Sequence, residues 1–358
     1  MFLVLTLCIL YVLYGALVFI EDRVPAYQKN VIYWTTCFLL VLMAGTREVG
    51  LDPDSEEYEV TFLNQHVDSV QDSVEFTYIW LAEAINSFTD DVHFLFLFYA
   101  LLGVTLKFVA FRRYGESWLL MVFVYISFYY ELHETCQIRA GVLSGCMLLA
   151  IPFIADNRRW TAFFILLVGT CFHMSGLILF PLLLLGNKPL GRYWKIALAL
   201  SIPLSYVFSG FNLGLEFASE LPYIGNKIAI YQSVEEKGRA SLSSLNLFGP
   251  LHLFVIMIFY YLLYYADVLT EKSRYFPMMI KILAAALVSY AVFSFIPAMG
   301  ERMGSLLRII IVVLLPSIIY TLQPKWCGVV LLILVTFVLI NFSLRDMYGV
   351  AIFLPPVK

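Results

Sequence analysis

Long hydrophobic runs alternate with short polar segments along the whole chain. A helix that spans a membrane needs about 20 predominantly apolar residues, and eleven runs approach or exceed that length. Because the runs are continuous and lack the alternating polarity of barrel strands, they predict membrane-spanning helices. The runs are Phe2–Ile20, Val31–Ala44, Val92–Ala110, Trp118–Tyr130, Ile138–Ile154, Thr161–Leu185, Ile196–Ser209, Phe248–Ala266, Pro277–Pro297, Ser305–Leu322 and Trp326–Asn341.

The distribution of Lys and Arg predicts the orientation, because cytoplasmic loops carry an excess of both. The basic clusters fall on one side if the N-terminus lies outside and Thr161–Leu185 crosses twice. That run has 25 residues and a polar interruption at Cys171–Gly176. We therefore predict two short helices that meet near the outer surface, or a re-entrant pair. One long tilted helix is the alternative.

Composition supports a membrane protein. The 358 residues are 61% hydrophobic and 14% charged, with a mean hydropathy of +0.84, whereas soluble domains are about 25% charged. The sequence predicts an all-α polytopic integral membrane protein with about 10–12 transmembrane helices. These helices are expected to form a single transmembrane domain over residues 1–358. The net charge of −3 adds little to this interpretation.

Two larger polar segments are expected on the outer face. The segment 46–91 carries twelve Asp or Glu residues and one basic residue, Arg47. Four of its residues recur at helical spacing and predict a short helix on the membrane surface. The segment 210–247 is rich in Gly, Ser and Asn and is expected to form a large periplasmic loop, interpreted as a lid. The four residues of the interfacial helix are Phe76, Ile79, Trp80 and Glu83.

Arginine at membrane depth is the unusual feature of the sequence. Arg at the bilayer centre costs at least ~2.5–3.5 kcal/mol, so such residues normally face a cavity or a partner. The guanidinium is always charged and suits bidentate contact with phosphate. We expect a cationic cavity open to the outside, built from Arg47, Arg139 and Arg302, which fall at the outer ends of their helices. Arg308 lies within an apolar run. The alternative is separate interfacial side chains and salt bridges, such as Arg139 with Glu134 in the polar outer turn Glu131–Arg139.

Five short motifs connect the chain with a known family. They are Gly45-Thr46-Arg47-x-x-Gly50-x-Asp52 followed by Tyr58, Glu75-Phe-Thr-Tyr78, Gln137-Ile-Arg139, Phe172-His173-Met-Ser175 and Glu301-Arg302. On these residues, which extend over most of the chain, the sequence resembles the EpsG-like and Wzy-like polymerases of bacterial exopolysaccharide, capsule and O-antigen.

The resemblance implies a membrane glycosyltransferase of the bacterial inner (cytoplasmic) membrane, with an active site that faces the periplasm or the outside. Its relatives join oligosaccharide repeat units linked to undecaprenyl pyrophosphate into a surface polysaccharide. The expected partners are these lipid-linked oligosaccharides and membrane lipid, and a chain-length regulator is a further candidate. No nucleic acid is expected.

Charge arguments and the resemblance together predict the site residues. Cleavage of the bond to pyrophosphate develops negative charge on the leaving group, and fixed guanidinium groups stabilise that charge. The predicted pyrophosphate-binding residues are Arg47, Arg139, Arg302 and Arg308. The acceptor hydroxyl needs a general base within hydrogen-bond reach, and the sequence leaves three candidates open: Glu75, His173 and Asp52. The predicted glycan-binding residues are Tyr58, Tyr78, Glu134 and Glu301.

No cofactor and no metal are expected. The sequence contains neither a Gly-x-x-x-x-Gly-Lys phosphate loop nor a dinucleotide fingerprint. Its six cysteines are scattered without a Cys-x-x-Cys pair. Asp52-Pro53-Asp54 comes closest to a metal motif, and an arginine-rich site can take the place of a divalent ion.

Two other functions remain open. A flippase or transporter of lipid-linked oligosaccharide also needs a cationic cavity, but it should carry polar residues near the middle of the bilayer and repeated halves. No repeat is visible, and the polar residues crowd the outer ends of the runs. An O-antigen ligase-like transferase or a sugar acyltransferase is the third interpretation, and the primary sequence separates the ligase poorly from the polymerase.

Overall fold

The computed structural model describes residues 2–71, 74–115, 117–211 and 245–349. The chain is 80% helical, and the described residues include no strand. The predicted all-α class is therefore confirmed. Most of the expected outer loop 210–247 lies outside the described residues.

The chain divides into two compact units. The first comprises Met1–Gly186 and Val312–Lys358, and the second comprises Asn187–Ile311. Each unit is described here by itself.

The first unit begins with two long helices and a group of short ones. Three of the short helices lie in the acidic segment 46–91. The elements from the N-terminus to the end of the acidic segment are α1 (Phe2–Ile20), a 3₁₀ turn (Glu21–Arg23), α2 (Ala26–Gly45), α3 (Ser55–Leu63), α4 (Asp68–Gln71) and α5 (Phe76–Asn86). The following elements are α6 (His93–Phe111), α7 (Trp118–Phe128), a π-helix (Glu131–Cys136), α8 (Ile138–Ala155), α9 (Arg159–Phe172) and a 3₁₀ helix (Met174–Leu184).

The second unit and the return to the first are also helical. The described elements of the second unit are α10 (Arg192–Gly210), α11 (Pro250–Tyr264), α12 (Ala266–Lys272), α13 (Phe276–Val292) and α14 (Pro297–Arg308). The chain then continues through α15 (Ile311–Leu314), a 3₁₀ helix (Leu315–Tyr320) and α16 (Lys325–Tyr348).

Several helices are long and apolar enough to cross a membrane. Five described spans meet this condition, and a sixth is added if α11 and α12, which meet at a 76° bend, count as one. Four shorter apolar helices accompany them. The chain is therefore a multi-pass membrane protein. The five spans are Leu3–Ile20, His93–Phe111, Ile138–Ala155, Met299–Tyr320 and Lys325–Tyr348.

The sixth hydrophobic run is broken, as its polar interruption predicts. Helix α9 ends at Phe172, His173 is extended with φ −156° and ψ 116°, and a 3₁₀ helix starts at Met174. Gly176 packs so closely on Thr170 that no larger side chain would fit. The run is thus two short helices and not one long tilted helix.

A helix is present where the interfacial helix was predicted, and its buried face differs in one residue from the expected one. Helix α5 exposes Phe76 and Trp80, whose rings pack edge to face with centroids 4.9 Å apart. Ile79 instead points inward beside Tyr78 and is 8% exposed. The apolar outer face of this helix therefore consists of the two aromatic side chains.

The segment Glu131–Cys136 is not the exposed polar turn that its sequence indicates. It forms a π-helix, a rare conformation that appears mostly as single turns and often at functional sites. The side chains of Glu131, His133 and Glu134 are at most 1% exposed. They face neighbouring helices because the segment continues from α7 into α8 inside the unit.

Helix α8 packs closely against α6 on one side and α9 on the other. A Cβ atom added at Gly145 would lie 2.8 Å from the Cβ atom of Leu106 on α6. A Cβ atom added at Gly169 on α9 would lie 2.9 Å from the Cβ atom of Cys146. Small residues let membrane helices approach this closely, so α8 is held at the centre of the first unit.

We expect Gly145→Leu to destabilise the protein, because overpacking a close helix contact typically costs about 1–3 kcal/mol. The measurement is the thermal unfolding temperature of the purified protein in detergent. Gly191→Leu is the matched control, since no heavy atom lies within 4 Å of a Cβ atom added there. Equal unfolding temperatures for the two variants would contradict the close contact between α6 and α8.

Candidate functional site

The Glu75 carboxylate joins three parts of the first unit. Glu75 is the N-cap of α5, but its side chain does not cap that helix. Its Oε2 atom accepts a hydrogen bond from Arg139 Nη1 at 2.5 Å. Its Oε1 atom lies 2.9 Å from His173 Nδ1 and accepts a hydrogen bond from the Met174 backbone N–H at 3.0 Å. The acidic segment, the start of α8 and the break after α9 therefore meet at one carboxylate.

The charges around Glu75 keep it ionised. Burial acts to raise the pKa of this carboxyl, but the hydrogen bond from His173 and the charge of Arg139 outweigh it and hold the pKa at about 2. Both carboxylate oxygens already accept hydrogen bonds. An ionised carboxylate with such a low pKa is a poor proton acceptor, so Glu75 is better suited to orient its neighbours.

The contact with Glu75 orients the His173 imidazole. The ionised Glu75 carboxylate favours the proton on Nδ1, and this leaves the lone pair on Nε2. The Nε2 atom lies 3.2 Å from the Ser175 hydroxyl oxygen. A carboxylate, an imidazole and a hydroxyl in this order form the arrangement that activates hydroxyl groups in other enzymes. Ser175 was not among the predicted site residues, although its spacing of two residues from His173 marks it in the sequence.

Arg139 lies partly open above two tyrosines. Its side chain is 21% exposed, and its Cζ atom lies 5.8 Å and 6.0 Å from the ring centroids of Tyr58 and Tyr78. Both tyrosines are buried, at 8% and 0% exposed. Burial raises the pKa of both phenols, so they stay neutral. The two predicted glycan-binding tyrosines therefore contact the Arg139 guanidinium through cation–π interactions.

Arg47 and Asp52 pair with each other inside the protein. Arg47 Nε donates to Asp52 Oδ2 at 2.9 Å, and both side chains are 0% exposed. Arg47 Nη1 also donates to the Ala44 carbonyl at 2.7 Å, and its Cζ atom lies 3.8 Å from the Phe96 ring centroid. This pair is enclosed and neutral as a unit, so it holds the loop after α2 in place.

Glu134 pairs with a cation that the sequence analysis missed. Its Oε1 atom accepts hydrogen bonds from Lys107 Nζ at 2.5 Å and from the Tyr125 hydroxyl at 2.7 Å. The salt bridge between Arg139 and Glu134, weighed as an alternative from the sequence, is therefore replaced by the pairs Arg139–Glu75 and Lys107–Glu134. Lys107 lies inside a long apolar helix, where the run of hydrophobic residues gave no sign of a pair.

The second unit brings Glu301 and Arg308 together on α14. Arg308 Nη2 lies 3.5 Å from Glu301 Oε1, and the Arg308 side chain is 7% exposed. Its Cζ atom lies 5.8 Å from the Tyr290 ring centroid. Arg302 lies on the exposed side of the same helix. Of these two arginines, Arg302 is exposed and Arg308 is buried.

A groove lies beside the loop that carries Arg47. It has a volume of about 310 Å³ and lies between the first half of α1 and the end of α2. Its walls are mainly leucine, and three of its four polar residues lie where α2 ends. The lining residues are Leu3, Thr6, Leu10, Leu39, Leu42, Met43, Thr46, Arg47, Glu48 and Leu51.

Among the described residues, no group of three or more His, Cys, Asp or Glu side chains could hold a metal ion.

Comparison with known proteins supports the family interpretation. Neither the curated proteins nor the solved structures gave a match. The model of the EpsG family matches residues 30–353, which include all five motifs. The chain therefore belongs to the EpsG family, a family of polysaccharide polymerase-like membrane proteins.

Proposed function

We propose that this protein joins oligosaccharide repeat units, carried on undecaprenyl pyrophosphate, into a polysaccharide at the outer side of the bacterial cytoplasmic membrane. Family membership supports the class of reaction. The observation that carries the proposal is the Glu75 carboxylate, which holds a partly open cation, Arg139, and an oriented base, His173, on its two oxygens.

The reaction needs both groups. The acceptor hydroxyl attacks the anomeric carbon of the donor sugar, a new C–O bond forms, and the bond from that carbon to pyrophosphate breaks. Negative charge develops on the departing pyrophosphate, and the Arg139 guanidinium stabilises it. The proton of the acceptor hydroxyl passes to Nε2 of His173. One displacement of this kind inverts the anomeric centre.

Among the three candidate bases, the geometry favours His173. Asp52 is enclosed and paired with Arg47. Glu75 is ionised and its two oxygens are engaged. The Ser175 hydroxyl lies 3.2 Å from His173 Nε2 and marks the position that an acceptor hydroxyl would take.

Two further features fit a lipid-linked substrate. The apolar groove of about 310 Å³ beside α1 and α2 could hold part of an isoprenoid chain. Arg302, exposed on α14, and Arg308 are proposed as additional pyrophosphate contacts in the second unit. Enclosed Arg47 is proposed to hold its loop and not to contact the substrate directly.

We expect His173→Gln to lower polymerisation by about 10²–10⁴-fold, the usual contribution of a general base. The measurement is the ladder of surface glycan on a gel, from a deletion strain that carries each variant at equal protein level. His66→Gln is the control, because His66 is exposed in the segment 46–91. A full ladder from the His173 variant would exclude His173 as the base.

We expect Arg139→Lys to abolish long chains while the protein stays folded. Lysine keeps the charge but loses the planar fork that can bind Glu75 and a phosphate oxygen at once. Ladder length in the same deletion strain measures the effect. Arg159→Lys, at an exposed position at the start of α9, should give a normal ladder. Normal chain length in both variants would exclude Arg139 from the site.

The deletion strain also separates polymerisation from transport. A polymerase defect leaves single repeat units on the cell surface. If the units accumulate inside the cell, the protein is a flippase, and the catalytic roles assigned here are wrong.

A further inference from the structure

Lys107 is a fully buried cation in the middle of an apolar helix. It lies on α6, a candidate membrane span, and is 0% exposed. A charge in this position requires partners, because desolvation of an unpaired ammonium costs several kcal/mol. Its Nζ atom donates to Glu134 Oε1 at 2.5 Å, to the Gly141 carbonyl at 2.6 Å and to the Gly103 carbonyl at 3.4 Å. The ammonium therefore joins α6, the π-helix and α8.

Two glycines make room for this junction. A Cβ atom added at Gly103 would collide with the Glu134 carboxylate, and one added at Gly141 would collide with the His133 carbonyl. The absence of a side chain at Gly103 lets the π-helix approach α6, and its absence at Gly141 lets the π-helix approach α8. Lys107 can therefore reach both the π-helix and α8. The Tyr125 hydroxyl on α7 adds a second donor to Glu134 at 2.7 Å.

Two residues that contact Lys107 lie on either side of Arg139 in the sequence. Glu134 lies five residues before it, at the centre of the π-helix, and Gly141 lies two residues after it, in the first turn of α8. Lys107 binds the side chain of Glu134 and the carbonyl of Gly141. The position and rotation of the first turn of α8 therefore depend on Lys107, and the Arg139 guanidinium extends from that turn to Glu75.

We propose that Lys107 and Glu134 are positioning residues for Arg139. They touch neither the substrate nor the reacting atoms, and this inference rests on the proposed function of Arg139. A displacement of about 1 Å can cost about 10²-fold in rate when the displaced group must meet a reacting atom. The buried pair thus holds the leaving-group cation at a fixed place.

The informative variant removes both charges together. A single Lys107→Met change would leave Glu134 as an unpaired buried charge, and the protein could simply fail to fold. Lys107→Met combined with Glu134→Gln has no such charge and keeps similar side-chain volumes. We expect this double variant to fold, but to lose about 10²-fold in polymerisation rate. Tyr125→Phe removes one donor only and should cause a smaller loss.

The assay uses the full chain in membrane vesicles of the deletion strain, with lipid-linked repeat units extracted from that strain as substrate. Rates are measured against pH and normalised to the amount of folded protein. The charge of Arg139 helps to lower the pKa of the Glu75 carboxyl, so displacement of Arg139 lets Glu75 take up a proton at higher pH and lose its hold on the His173 imidazole. The acidic limb of the rate profile should therefore move to higher pH in the double variant.

Lys281→Met is the matched control. Lys281 is another largely buried lysine on an apolar helix, but it lies on α13 in the second unit with its Nζ atom 5.0 Å from the Trp194 ring centroid. We expect its pH profile to keep the wild-type shape. A merely structural role of Lys107 and Glu134 would lower the rate by the same factor at every pH.

The outcomes separate this inference from the proposed function. If the double variant is folded and keeps the wild-type rate and profile while Arg139→Lys is inactive, the positioning role is wrong and the site stands. A uniform rate loss without a shift of the acidic limb also overturns the positioning role. If Arg139→Lys and His173→Gln are both fully active, the proposed function itself fails.

Discussion

A charged side chain inside an apolar helix bundle must have an opposite charge or hydrogen-bond partners beside it, and this constraint organises the first unit. Three pairs satisfy it, namely Arg47–Asp52, Lys107–Glu134 and Arg139–Glu75. The first two pairs are at most 1% exposed, whereas the Arg139 side chain is 21% exposed. The enclosed pairs hold loops and helix ends in place, whereas part of the Arg139 side chain in the third pair is accessible.

The partly open pair Arg139–Glu75 shares its carboxylate with His173. Glu75 binds Arg139 with one oxygen and His173 with the other, so a cation and an imidazole are fixed relative to each other. A carboxylate that accepts several hydrogen bonds has a low pKa and cannot easily take a proton. The same contacts therefore make Glu75 a poor base and orient the His173 imidazole, which fits the role that we propose for His173.

Periodicity and composition predicted much of the fold correctly. The break at Cys171–Gly176 and the helix α5 followed from local polarity and spacing, and both are present. The segment Glu131–Cys136 was misinterpreted as an outer turn because its dense polar residues are typical of exposed loops. Lys107 was overlooked because a single lysine in a long apolar run gives no sign of its partner. Its partner Glu134 is 27 residues away along the chain.

The sequence by itself determined that the chain is helical, that it is a membrane protein and which residues carry motifs. These are local properties, since apolar length and the need to satisfy backbone groups within lipid act on each segment separately. Only the tertiary structure decided which cation meets which carboxylate. Glu75 lies 64 residues from Arg139 and 98 residues from His173 along the chain. Such contacts form only when the helices pack. Packing buries the charged side chains and decides which opposite charge lies close enough to offset the cost of desolvation.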